Sequence, residues 1–358
     1  MAHTEALLFL ILSGCVSRAL ARHTRFVNFF PMHRTELIKT RDTACAELFA
    51  RKQAGDQVCH PLLDCMLEHT SEAVKNDIAG AIVALGLMPS MLTFLGSSTT
   101  EIALLAKRRP LLALLIASGS PSVSPVRTFE YPSPVEELKI REGGLVPPYF
   151  SPLQAAFVSM VEYALVLGAV ANVYTAAFYA GRWTINMVDC DTDFYALVWA
   201  VLTIPLHICG LWCLALRTET KNDNKARRGD GWKSVGLRWL RHEATPCIVH
   251  EKLRLVQKPE TYLFVVVSWW MATYTAVHVL YGTITFSTLQ FLGWLDSLKL
   301  IARLVTSAIV CRAVLMFELS GMRNAMEEPS GAEDYSLVSN DIDFMKSLTG
   351  KSRLRAKT

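Results

Sequence analysis

Residues 153–180 read LQAAFVSMVEYALVLGAVANVYTAAFYA, an apolar run in which Glu162 is the one formal charge. At 1.5 Å per residue a helix of this length reaches about 40 Å, against roughly 30 Å of hydrocarbon in a bilayer. The run is apolar around the whole helix, not along one stripe, which predicts a transmembrane helix. Outward from it, Phe194–Leu216, Tyr262–Phe286 and Leu298–Leu319 have the same character, the last interrupted by Lys299, Arg303 and Arg312. Upstream, Ile78–Leu95 (IAGAIVALGLMPSMLTFL) is long enough to cross about 27 Å, with Pro89 expected to kink it. The expected fold class is therefore an all-α membrane protein of about five transmembrane helices, 78–95, 153–180, 194–216, 262–286 and 298–319, forming a bundle over 78–319. A composition of 51% hydrophobic and 19% charged residues agrees.

Charge in the loops predicts the orientation. Gly181–Asp193 holds Arg182 against three aspartates, whereas Arg217–Thr261 carries Arg227, Arg228, Lys233, Arg238 and Arg241, and the tail 320–358 ends with Lys351, Arg353, Arg355 and Lys357. By the positive-inside rule the basic loop and the tail are cytoplasmic and the acidic loop is not. Ala6–Val16 has the length of a signal-peptide core and is followed by the small-x-small pattern Ala19-Leu20-Ala21, so 1–21 reads as a signal peptide, an uncleaved anchor being the alternative. Residues 22–77 then form an exoplasmic region with Cys45, Cys59 and Cys65, and Cys190 falls in a loop on the same side. In an oxidising compartment these four thiols allow two disulfides in three connectivities; free thiols are the other reading. The secretory route, with the plasma membrane as default, is the expected location.

Between the first two spans, Ser98-Thr99-Thr100-Glu101 is a capping-box pattern, and Lys107-Arg108-Arg109-Pro110 stops one helix and opens another. Leu111–Ala117 is too short to span and reads as an interfacial or re-entrant helix. The stretch from Pro121 to Pro152 is loop. In the basic loop, Trp232, Val235, Trp239 and Leu240 share a helical face, with Lys233, Arg238 and Arg241 elsewhere around the turn. Such a helix can lie on anionic lipid head groups, or pack under the bundle with its cations solvated.

The stretch GSSTTEIALLAKRRPLLALLIASGSPSVSPVRTFEY (Gly96–Tyr131), preceded by Cys65-Met66-Leu67-Glu68 and Gly86-Leu87-Met88-Pro89, resembles a family of uncharacterised multi-pass membrane proteins of filamentous fungi. The resemblance is strongest from Cys59 to Tyr131 and implies an integral membrane protein with a secretory segment; it carries no functional residues.

Ionisable groups at membrane depth are the remaining place for chemistry. Counted along their helices, Glu162, His207 and Arg312 fall in about the same layer, within roughly 6 Å of the bilayer centre for the first two. Pro205 frees a backbone carbonyl beside His207. This layer could bind an anion or relay a proton; interhelical hydrogen bonding and snorkelling are the bland alternatives. Cys209 and Cys213 share a helix face and read as apolar packing, and Asn172 and His278 as satisfied core groups. No P-loop, no H-E-x-x-H, no G-x-S-x-G and no G-x-G-x-x-G occurs, so no enzyme class, metal or cofactor is expected, and no nucleic-acid role. The balance favours a non-catalytic receptor, scaffold or adaptor whose partners are the bilayer and an unidentified protein or small molecule. The alternative is a small transporter or channel using Glu162, His207 and Arg312.

Overall fold

The computed structural model of the protein describes residues 25–121, 123, 124, 138, 150–220, 232–249 and 255–324. The expected signal segment 1–21, nearly all of the Pro-rich stretch, the centre of the basic loop and the tail beyond 324 lie outside the described residues.

Three short helices, α1 (Arg34–Thr43), α2 (Ala46–Gln53) and α3 (Cys59–Glu68), form a cap at one end of the molecule. Each is too short to hold itself in water, and they persist by burying Leu37, Leu62 and Met66 with Phe26, Ile185 and Phe291. Disulfides Cys45–Cys65 and Cys59–Cys190 fix this core, with Cα atoms 6.0 Å and 5.9 Å apart. The second one ties the cap to the loop that follows the 153–180 run. Arg25, fully buried, closes the same loop: Nε donates to Cys190 O (3.0 Å), Nη1 to Gly181 O (2.6 Å) and Thr184 O (2.8 Å), and Nη2 to Thr192 O (2.7 Å). Burial lowers its pKa to about 10, partly offset by Asp193, Asp191 and Asp189, so it stays charged at neutral pH. Lys52 of α2 adds an ion pair to Asp191.

Gly181 is required here, because a Cβ would come within 1.8 Å of Asp193 O. Gly181→Ala should cost at least about 1–3 kcal/mol by overpacking against backbone, and should lower the melting temperature of the purified protein while leaving its helix content by circular dichroism unchanged.

Beyond the cap, α4 (Glu72–Leu92) runs away from the disulfides, α5 (Thr99–Ala106) continues from it after a turn, and α6 (Pro110–Gly119) doubles back. Then come α7 (Pro152–Trp183), α8 (Tyr195–Val201) and α9 (Thr203–Arg217), α10 (Trp232–Glu243), α11 (Tyr262–Ser287) and α12 (Trp294–Asn324). Two small antiparallel ladders mark the ends. β1 (Ile185–Asn186) pairs with β4 (Leu289–Gln290) under the cap, and β2 (Thr218–Thr220) pairs with β3 (Leu255–Gln257) at the far end.

Four helical segments are long and apolar enough to cross a membrane: α7 with 32 residues, α8 plus α9 with 23, α11 with 26, and α12 to Arg323 with 30. These are the expected second to fifth spans, each within a few residues except the last, which starts at Trp294 and not Leu298. The expected first span differs. Its helix starts at Glu72, so the first two turns carry Glu72, Lys75 and Asp77, and it ends at Leu92, three residues beyond Pro89. The polar cap end takes α4 out of the strictly apolar set, and 93–95 belong to the turn into α5.

The α5–α6 hairpin fills one half of the bundle. Ile102–Leu105 and Leu112–Ala117 pack with Val166 and Ala169 of α7, Leu214 of α9 and Cys311–Leu319 of α12. The half nearer the cap is closed instead by Leu85, Met88 and Leu92 of α4 against Val173–Ala180, Trp199, Phe286 and Leu304. Local sequence sets these boundaries. Ser98 Oγ accepts from Glu101 N (3.1 Å) and Glu101 Oε2 from Ser98 N (2.8 Å), the capping box read from the sequence. Pro110 opens α6 at its first turn. Pro205, which has no N–H to donate to Val201 O, accounts for the break between α8 and α9 at Leu202. The polar groups at that break are taken up by α11: Tyr274 Oη donates to Leu202 O (3.0 Å) and His278 Nε2 lies 3.0 Å from Trp199 O.

Candidate functional site

Arg109, placed by the stop at Lys107-Arg108-Arg109-Pro110, caps the start of α6 and is completely buried. Its guanidinium meets carboxylates from two crossing helices: Nη1 donates to Glu162 Oε2 of α7 at 2.5 Å and lies 3.0 Å from Glu318 Oε1 of α12. Nη2 donates to Ser159 Oγ at 2.7 Å, and the ring of Tyr163 lies 5.4 Å beneath the cation. A third carboxylate arrives from outside the spans. Glu243, the last residue of α10, accepts from Leu111 N and from Leu112 N (3.2 Å), so it neutralises the positive end of α6. Burial raises its carboxyl above the ordinary glutamate value even though both amides favour the charged form. Glu318 Oε2 in turn accepts from Cys247 N at 3.1 Å.

Side chains from α7 and α12 thus converge on the guanidinium at the start of α6, and Glu243 of α10 sits on the adjoining amides, in the half of the bundle away from the cap. Glu162, Glu243 and Glu318 are 4%, 3% and 1% exposed. Among the described residues no donor reaches Glu162 Oε1 or Glu243 Oε2. Buried polar groups normally find partners, so an under-satisfied cluster of charges points to work other than holding the fold. Two carboxylates share one guanidinium, so one proton or one small cation would complete neutrality around Arg109.

Glu162 is the part of the expected polar layer that this centre contains. His207 and Arg312 have different surroundings. Arg312 pairs with Glu101, the acid that also caps α5. His207 is 5% exposed and its Nδ1 has no partner among the described residues; it lies one turn before Gly210, whose helix face presses on Thr99 so closely that a Cβ would fall 2.9 Å from Thr99 Cβ. Ser97 before α5, and Thr99 and Thr100 in its first turn, likewise keep buried hydroxyls without partners among the described residues. The layer is thus divided between two ion pairs and a hydroxyl-rich helix break.

Of the residues set aside in the sequence, Asn172 and His278 are hydrogen-bonded as expected of core groups, and Cys213 is buried beside Phe264 and Met271. On α10, Trp239, Leu240 and Arg241 are exposed; the side chains of Trp232, Lys233 and Arg238 lie outside the described residues. Arg109, Ser159, Glu318 and Glu243 are the site residues that sequence reading missed. Glu318 left a signal, an acid inside the apolar run that closes the last span; Glu243 left none, because only folding brings α10 under α6. No known protein family, curated protein or solved structure matches the chain.

Proposed function

We propose that the chain is a multi-pass membrane transporter whose working centre is Arg109, Glu162 and Glu318, with protonation or cation binding at the carboxylate pair coupled to movement of the α5–α6 hairpin. The observation that carries the reading is the completely buried guanidinium at the tip of a helix too short to cross, held by more carboxylates than it can neutralise. Charges at such depth are costly and are rarely kept for stability alone. The helix interrupted inside the apolar layer, between α4 and α5, belongs to the same logic, because irregular backbone at that depth is tolerated where it lines a working interior.

In this reading α4 and α5 together make a fifth, discontinuous crossing, and Val83, Leu87 and Met91, exposed along one face of α4, meet lipid. The disulfide cap is outside and the Arg109 end, with Lys107, Arg108 and the basic loop, is cytoplasmic. The plasma membrane is the proposed location. A receptor or scaffold is the second reading, favoured by the cap, which has its own buried core and two disulfides.

The test uses purified protein in vesicles loaded with a pH-sensitive dye under an inward potential, challenged in turn with amino acids, sugars, carboxylates and divalent cations. At least one class should acidify the lumen, and Glu162→Gln should reduce that rate about 10-fold or more while eluting as a folded protein. No response to any class, with wild type and Glu162→Gln alike, would remove the transporter reading and leave the receptor.

A further inference from the structure

Of the arginines placed in the apolar part of the bundle, Arg109 and Arg312 each meet a carboxylate, and Arg303 of α12 does not. Its side chain is clamped to α7 by neutral groups: Nε donates to Asn172 Oδ1 (2.7 Å), and Nη2 to Asn172 O (3.1 Å) and Thr175 Oγ1 (2.6 Å). Asn172 Nδ2 returns hydrogen bonds to Arg303 O and Ser307 Oγ, both at 2.8 Å, so the guanidinium is held in one orientation. Nη1 takes part in none of these bonds. Among the described residues no acid pairs with Arg303.

Beside this cation the α7–α12 seam opens into a groove of about 490 Å³. Its polar end holds Asn172, Arg303 and Thr306, and its apolar end Leu165 and Val310. Gly168 lies between, and a Cβ there would meet nothing within 4 Å, so the seam is open at its middle. The two helices run antiparallel, and Leu165 and Val310 both lie about 10 Å from the Asn172–Arg303 level in the direction away from the cap. Arg303 is about 9 Å from the midpoint of α12, on the cap side, and its hydrogen bond to Thr175 leans the guanidinium further toward the cap. An uncompensated cation just below one interface, with an apolar channel leading from it toward the bilayer centre, has the polarity of a lipid.

We propose that this groove is a binding site for one anionic phospholipid, its phosphate on Nη1 of Arg303 and an acyl chain along Gly168, Leu165 and Val310. With Nε and Nη2 occupied by Asn172 and Thr175, the two N–H groups of Nη1 remain to donate to an oxyanion, and the low dielectric strengthens the contact. The acyl chain contributes packing in the groove and not transfer from water, because it is already in hydrocarbon, so the headgroup decides which lipid is retained.

Native mass spectrometry of the full chain in a neutral detergent, with added dioleoyl phosphatidylglycerol or phosphatidylcholine, tests the assignment. Wild type should retain one phosphatidylglycerol at least 10-fold more tightly than phosphatidylcholine. Arg303→Gln should lose that preference, and Gly168→Leu, which fills open space and leaves the clamp intact, should lose retention about 10-fold. Equal retention of both lipids, or phosphatidylglycerol binding unchanged in both variants, overturns the proposal. So does protection from heat by inorganic phosphate equal to that by phosphatidylglycerol, or full displacement by equimolar oleate; these would assign the cation to a free ion or to a carboxylate amphipath.

Discussion

Arg109→Met should be the most damaging single substitution in the bundle, costing about 3–5 kcal/mol, because it leaves buried carboxylates without their cation. The size follows from the number of groups that depend on this side chain. Glu162 and Glu318 face the guanidinium from α7 and α12, Ser159 accepts from it, and it is 0% exposed, so water cannot replace it without opening the seam. Methionine keeps much of the volume, so the loss is electrostatic and not a cavity. The charge origin can be separated from packing by a second substitution. Adding Glu162→Gln and Glu318→Gln to Arg109→Met removes the uncompensated charges and should recover more than half of the lost stability, while the same two changes on the wild-type background should destabilise by stranding the arginine. Denaturant titration of the detergent-solubilised protein, followed by tryptophan fluorescence, measures all three. A cost below about 1 kcal/mol for Arg109→Met would mean that the cluster is hydrated and of no structural weight.

The same cluster shows where the sequence is informative and where it is not. Long apolar runs, a proline at the start of a helix and a capping box are local signals, and α7, α11, α5 and α6 follow from them nearly to the residue. Position along a helix axis is arithmetic, which is how the sequence reading came to group Glu162, His207 and Arg312 in one layer. Which way each side chain turns about that axis was not. Glu162 turns to Arg109 and Arg312 to Glu101, and both partners belong to the hairpin between 99 and 110, whose return into the bundle no count of apolar residues could give. The bounds of the expected first span shifted for a related reason. Its charged first two turns are stabilised by the cap, where Asp77 Oδ2 lies 2.7 Å from His33 Nε2 and accepts from Trp294 N at 2.9 Å, tertiary contacts that allow a helix to begin six residues before its apolar part. The cysteines lie between these cases. Their common side was readable from topology, whereas the choice among three pairings depends on how α1–α3 fold over the 181–193 loop.

That pairing makes the second large effect asymmetric. Cys59–Cys190 closes a loop of sequence separation 131, Cys45–Cys65 one of 20. On chain entropy the first should stabilise by up to about 5 kcal/mol and the second by about 3 kcal/mol. Helices that persist in the unfolded state in detergent lower both values, the long loop more than the short one in absolute terms, but they do not reverse the order. The location of the damage is the sharper expectation. In Cys59→Ser with Cys190→Ser, the loop keeps Arg25 and the Lys52–Asp191 ion pair but loses its covalent tie, so the cap should undock while α7, α11 and α12 stay packed. Limited trypsin treatment should then cut after Arg182, at the end of α7, once Arg25 no longer holds Gly181 O and Phe30 no longer packs on Trp183, and near-ultraviolet circular dichroism of the bundle should change little. Cys45→Ser with Cys65→Ser should loosen α1 and α2 within a cap that remains in place, leaving Arg182 protected. Equal cleavage in the two double variants would show that Arg25 and the buried cap core hold the loop unaided, and would move the weight of the docking from the disulfide to the guanidinium.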